Sequence, residues 1–217
     1  MNALLWDLDD TLLDTLPTRM KALAHAYETC LGQKTDPIAL WRSTRGGTLE
    51  DLGKRLMGDS YLKFTTAFRD RYYGGWRDIR PYSGVPEVLD VCREAGMEMA
   101  VVTSKDSWGA TEELSQAGIL RYFAAVVGFD DTDNHKPDPE PIFTALERIL
   151  VDDPATVSFV GDSPADVFAA RNAGCKSVAA TWGTLDEELL RDAYPDFIAA
   201  TPHDVLVSLA HPTAVAE

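Results

Sequence analysis

The amino-acid sequence predicts an α/β protein, a parallel sheet with helices on both faces, with a run of helices inserted after its first strand. Three observations carry this. From Pro81 to about Ala200, short apolar runs alternate with helical periodicity, the trace of parallel strands joined by crossover helices. Another apolar run, Ala3-Leu4-Leu5-Trp6, stands almost at the start and reads as a buried strand. Between Thr15 and Arg80 no convincing strand appears, which suggests a separate helical subdomain.

Each element has its own signals. After an acidic loop at Asp7–Asp10, Pro17 suits a first helical position, and Met20, Leu23, Ala24, Tyr27 and Leu31 recur at helical spacing before Gly32. Further helices are expected from Asp36-Pro37, over Leu49–Met57 and over about Tyr61–Tyr73. In the second part, Gly84-Val85-Pro86 opens a helix that Ala95-Gly96 closes. Met97–Thr103 is a strand, and Asp106 caps a helix ended by Gly118. Ala124–Gly128 is the next strand, and Ile142, Leu146 and Ile149 mark a helix. Val157–Gly161 and Lys176–Thr181 are strands, with a short edge strand near Phe197–Ala200 and a frayed tail after His211.

Composition bounds the function. The chain has 217 residues, enough for one large domain or a core plus a smaller one. A net charge of −15 disfavours nucleic acid and anionic membrane partners, which need a cationic surface. It leaves room for a small anionic substrate, because a few local cations can dominate a pocket. No run approaches a membrane span and no secretory signal is visible, so a cytoplasmic protein is expected, as monomer or homodimer. Cys30, Cys92 and Cys175 form no C-x-x-C pair, and the four histidines are scattered; neither a zinc site nor a disulfide framework is suggested.

In parallel sheets ligands bind beyond the carboxyl ends of the strands. The polar residues expected there are Asp7 and Asp9, Thr103 and Ser104, and Asp162, with Lys136 on a loop before a helix. That set suits a magnesium ion and a phosphoryl group. One carboxylate can attack phosphorus while another moves a proton, and magnesium prefers one or two carboxylates plus substrate oxygens and water. Asp162 is the natural additional ligand, although alone it would read as a helix cap. Ser163-Pro164-Ala165-Asp166 fits a capping-box variant, so Asp166 can serve as a cap, near the metal, or both. The Lys136 ammonium would bind phosphate as a point charge, Thr103 could donate to it, and backbone N–H groups after Asp7 could cradle it.

D-L-D-D-T at Asp7–Thr11, V-V-T-S at 101–104, H-K-P-D-P-E-P at 135–141 and V-G-D-S-P-A-D at 160–166 resemble the four motifs of the haloacid dehalogenase-like hydrolases, in the family's order. P-Y-S-G-V-P-E-V-L at 81–89 and A-A-R-N-A-G at 169–174 are similar to its phosphoglycolate phosphatase-like branch. The resemblance implies a Rossmann-like core, residues 1–15 and 81–217, with an all-helical cap at 16–80. It implies Asp7 as nucleophile, Asp9 as general acid and base, and Thr103, Ser104 and Lys136 around the phosphoryl group. Mg2+ would be held by the Asp7 side chain, the Asp9 carbonyl and Asp162, with Asp166 near it or behind the ligands. Asp10 departs from the glycine common at that position. The acid at Asp9 disfavours dehalogenation, and neither Lys21 nor Lys34 is singled out as the Schiff-base lysine of phosphonate hydrolysis.

The substrate is expected to be a small phosphorylated metabolite: phosphoglycolate-like, a sugar phosphate, a nucleotide or pyrophosphate. A beta-phosphoglucomutase-type phosphomutase and a non-catalytic phospho-ligand-binding module are the alternatives; the intact Asp7/Asp9 pair argues against the last. In the loop Ser43–Thr48, Arg45 (or Arg42) could hold an anionic substrate tail, though an ordinary helix–helix loop would look the same. Asp106, Trp108 and Trp182 are further candidates for the pocket border.

Overall fold

The computed structural model describes residues 3–44 and 48–210. The chain divides into two compact units, Met1–Asp14 with Arg80–Glu217, and Thr15–Ile79. Among the described residues no helix is long and apolar enough to cross a membrane.

The first unit is built on six strands: β1 Ala3–Trp6, β2 Glu98–Val102, β3 Ala125–Val127, β4 Val157–Gly161, β5 Lys176–Ala180 and β6 Phe197–Ala199. Their order is β3-β2-β1-β4-β5-β6 and every pairing is parallel. This is the Rossmann-like α/β sheet that the sequence resemblance implied. Ala3 and Leu5 face one side of the sheet, together with Val102, Phe159 and the helix residues Ile142, Leu146, Ala169 and Ala170. Leu4 and Trp6 alternate to the other side and are equally buried, as expected when helices cover both faces of a parallel sheet.

Five helices of this unit, α5 Val85–Glu94, α6 Ser107–Gln116, α7 Glu140–Arg148, α8 Pro164–Ala173 and α10 Asp204–Ala210, carry the caps or apolar faces that place them. Asp106 accepts from the Gly109 N–H at 2.8 Å to start α6. The Met97 N–H donates to Cys92 O at 3.0 Å, so Met97 closes the preceding helix and β2 begins one residue later than the sequence suggests. α9 Glu187–Asp192 and α10 are elements that periodicity did not reveal, because each is under two turns of apolar pattern. Thr201-Pro202-His203-Asp204 nevertheless carries a cap signal, since Asp204 Oδ2 accepts from the Thr201 N–H at 2.8 Å.

The second unit, described by itself, contains α1 Leu16–Leu31, α2 Pro37–Arg42, α3 Leu49–Met57 and α4 Tyr61–Gly75, and no strand among the described residues. α4 packs along α1 and α3, burying Met20, Leu23, Ala26, Leu52, Phe64 and Phe68. Thr48 and Asp51 form a full capping box at the start of α3. Arg55 donates to Ser43 O at 2.7 Å and to Ser43 Oγ at 2.6 Å, tying α3 to the end of α2. Arg45, Gly46 and Gly47, like the tail from His211, lie outside the described residues.

Back in the first unit, the turn after β1 is held by main-chain bonds. The Leu12 and Leu13 N–H groups donate to Leu8 O at 3.1 and 3.0 Å, and the Asp10 N–H to Leu13 O at 2.8 Å. Trp182 Nε1 donates to Thr11 O at 2.9 Å, which makes Trp182 a strut of this turn. A Cβ on Gly183 would lie 1.9 Å from the Asp10 carbonyl oxygen; backbone against backbone leaves no side chain to move aside. Gly183→Ala is therefore expected to destabilise the protein by about 1–3 kcal/mol, and a urea midpoint equal to wild type would contradict this packing.

Candidate functional site

β1 lies between β2 and β4, so the chain's crossovers diverge on its two sides and the crevice at the carboxyl ends of β1 and β4 is the topological switch point. Asp7 is the first residue beyond β1, and its N–H donates to Val160 O at 2.8 Å. Asp162 is the first residue beyond β4. The sheet register therefore delivers two carboxylates, far apart in sequence, to one place. Asp10 follows with φ of 60°, in the left-handed region that aspartate, asparagine and above all glycine tolerate. Its backbone supplies the reason for a permissive residue there.

Lys136 connects this crevice. Its Nζ donates to Asp7 Oδ1 at 2.6 Å, to Asp166 Oδ1 at 2.5 Å and to Val102 O at 3.3 Å, and its side chain is 5% exposed. Burial alone would lower the lysine's pKa, but the Asp166 and Asp7 carboxylates outweigh it and hold the ammonium above its ordinary range. Asp7 moves the opposite way from a typical ion-paired carboxylate. Burial pushes its carboxyl up to about 7, Lys136 pulls it down, and Asp166 and Asp9 oppose that pull. One ammonium shared by two buried carboxylates leaves the pair short of positive charge.

Asp166 performs two tasks with two oxygens. Oδ2 accepts from the Ser163 N–H at 3.0 Å and Ser163 Oγ at 2.6 Å, closing the capping box of α8, while Oδ1 takes Lys136. The side chain fits against β4 only because residue 161 is glycine; a Cβ there would lie 2.4 Å from Asp166 Cβ and Cγ.

Beside this group stands a second one that the motif reading missed. Lys105 Nζ donates to Asp9 Oδ1 at 2.9 Å and to Glu113 Oε2 at 2.5 Å. Glu113 is 1% exposed on the inner face of α6, among Gly109, Ala110 and Leu114. A charged residue within the apolar stripe of that helix was the available signal. The Thr103 hydroxyl accepts from the Lys105 N–H at 3.2 Å, which leaves its own proton to donate.

The remaining candidates divide. Ser104 follows Thr103 but is exposed. Asp106 is occupied as the α6 cap, and Trp108 is 64% exposed. Arg42 closes α2 in the helical unit, and Arg45 is not among the described residues.

Oxygens of Asp7, Asp162 and Asp166 lie within 4.8 Å of one another. Hard carboxylate oxygens crowded at a buried point fit a divalent cation of the magnesium type. Tyr82 senses the same field, for burial and then the charges of Asp10, Asp14 and Asp162 push its phenol well above the ordinary range.

Comparisons with known proteins agree on one family. Residues 4–180 match the family model described as haloacid dehalogenase-like hydrolase. A protein of Caldanaerobacter subterraneus, provisionally named pyrophosphatase PpaX, is 35% identical over 91% of this chain and 89% of its own. The phosphoglycolate phosphatase of Neisseria meningitidis is 33% identical over 96% of this chain and 94% of its own. A crystal structure from Haemophilus somnus, assigned by prediction as a phosphoglycolate phosphatase, superposes with a TM-score of 0.86 at 26% identity, covering 96% of this chain and 97% of the other. With four motifs in order and a switch-point crevice that gathers their residues, the chain belongs to the haloacid dehalogenase-like hydrolases.

Proposed function

We propose that the protein is a magnesium-dependent phosphatase of a small phosphorylated metabolite, acting through an aspartyl phosphate on Asp7. The observation that carries this reading is the buried chain Asp7–Lys136–Asp166, with a second carboxylate, Asp9, on the turn that follows. The unit formed by Met1–Asp14 and Arg80–Glu217 supplies these residues and is read as the catalytic core, with the inserted helical unit as its cap.

In the first step an Asp7 carboxylate oxygen attacks phosphorus, the bond to the leaving oxygen breaks, and Asp9 gives that oxygen a proton. In the second step Asp9 takes a proton from water, the water oxygen attacks the aspartyl phosphate, and inorganic phosphate leaves with Asp7 restored. Lys136 fixes Asp7 through Oδ1 and keeps a positive charge beside the incoming phosphoryl oxygens; its long bond to Val102 O, at 3.3 Å, is the one most readily exchanged. Thr103 donates its hydroxyl proton to the same group. Asp7, Asp162 and the Asp9 carbonyl would hold magnesium, with Asp166 tied to Lys136 behind them, and the ion supplies charge neutralisation between two anions. The relatives named above as a pyrophosphatase and a phosphoglycolate phosphatase support a small substrate with a second anionic group. Phosphate release, as opposed to return of the phosphoryl group to a sugar, separates this reading from a phosphomutase.

Asp7→Asn should abolish magnesium-dependent phosphate release from every ester tested while circular dichroism stays native; appreciable turnover would remove Asp7 from the chemistry. Asp9→Asn should lower kcat/KM on an alkyl phosphate by about 10²–10⁴-fold, and far less on nitrophenyl phosphate, whose leaving group needs no proton. Equal losses on both would count against proton donation.

The Asp7 pKa also sets a pH dependence. Between 3.8 and about 7 the folded protein retains a proton that the unfolded chain gives up, so the unfolded state binds fewer protons and stability falls as pH rises through that window. Ligation needs the ionised carboxylate. Magnesium should therefore raise the melting temperature more at pH 8 than at pH 5, and Asp7→Asn should flatten the pH dependence of the metal-free protein. A magnesium shift that is larger at pH 5 would overturn this assignment.

A further inference from the structure

Glu113 is a charged side chain buried on the inner face of α6, 1% exposed. A carboxylate in that position is costly unless it is paired, and an apolar residue would fill the same stripe without that cost. Its partner is Lys105, at 2.5 Å, and Lys105 in turn donates to Asp9 Oδ1 at 2.9 Å. The lysine's main chain is fixed as well. Its N–H donates to Thr103 Oγ1 at 3.2 Å and its carbonyl accepts from the Phe129 N–H at 2.8 Å. The Asp9 side chain is 21% exposed, and the ion pair with Lys105 narrows the rotamers it can adopt.

We propose that Lys105, anchored by the buried Glu113, is a positioning residue that orients the Asp9 carboxylate for proton transfer. The lysine binds one oxygen of Asp9 and so fixes the direction in which the other faces. Glu113 prevents the flexible lysine stem from following Asp9 or leaving with a bound anion. This rests on the reading of Asp9 as the proton carrier.

The test compares kcat/KM for an alkyl phosphate, whose leaving oxygen needs a proton, with kcat/KM for nitrophenyl phosphate, whose leaving oxygen does not. The double variant Lys105→Met/Glu113→Leu removes both charges together, so neither is left buried alone. Glu113→Gln keeps the size and removes only the anchor's charge, and it decides the matter if the double variant fails to fold. The ratio of alkyl to nitrophenyl kcat/KM should fall by about 10- to 100-fold in the double variant, and by less, in the same direction, in Glu113→Gln. In an Asp9→Asn background the same changes should leave the ratio where Asp9→Asn puts it, since the lysine acts through Asp9. A parallel loss on both esters, or a loss confined to KM, in a protein whose activity depends on Asp7 overturns the proposal alone. Hydrolysis that survives Asp7→Asn overturns the underlying reading and the proposal with it.

Discussion

The Lys136 ammonium lies between two buried carboxylates, 2.6 Å from Asp7 Oδ1 and 2.5 Å from Asp166 Oδ1, and much of the sheet-bearing unit is arranged to keep it there. Breaking such a contact by removing one partner costs about 3–5 kcal/mol, because it leaves an uncompensated charge in the interior. Asp7 is fixed by the end of β1, Asp166 by the first turn of α8, and Lys136 by the loop before α7. Three crossover segments thus meet at one cation. The close approach of Asp166 to β4 in turn requires Gly161. A local electrostatic need, the neutralisation of Asp7, constrains residues from three distant parts of the chain.

Lys136 divides its charge between Asp7 and Asp166, and further acids lie close by. Among the described residues, Asp7, Asp162 and Asp166 gather at one point, and Lys105 joins Asp9 to Glu113 beside it. A fold selected only for stability would remove some of these acids. On the proposed reading, retaining them at the switch point would serve a divalent cation, whose charge would let an anionic nucleophile meet an anionic phosphoryl group.

Much of this was legible in the sequence, and the reason differs from part to part. The alternation of apolar runs and helical periodicity depends only on which residues face the core, so β1 at Ala3–Trp6 and β4 at Val157–Gly161 could be read directly. Asp7, Lys136 and Asp162 were legible because each follows a strand or opens a helix in a recognisable motif. Lys105 and Glu113 were not. Their partnership spans a loop and two turns of α6, and no local spacing encodes it. α9 and α10 escaped for another reason: elements this short carry too few apolar repeats to show a period, and only the cap at Thr201–Asp204 announced one of them. Asp10 looked anomalous as a third acid in the cluster, yet its φ of 60° is a property of the backbone, which side-chain chemistry does not reveal.

Once Lys105 is included, the acidic cluster separates into two parallel arrangements. Asp7, Lys136 and Asp166 form one; Asp9, Lys105 and Glu113 form the other. In each, a carboxylate read as reactive is held by a lysine, and the lysine is held from behind by a carboxylate that is almost fully buried. A lysine stem has four carbons and several rotamers, so a lysine alone would localise its charge poorly. The rear carboxylate removes that freedom, at a desolvation cost that the reactive carboxylate helps to offset. The two anchors arise differently: Asp166 belongs to a helix cap and costs little to place, whereas Glu113 interrupts an apolar helix face. A folding requirement accounts for the position of the first anchor but not the second, which is why the second points to function.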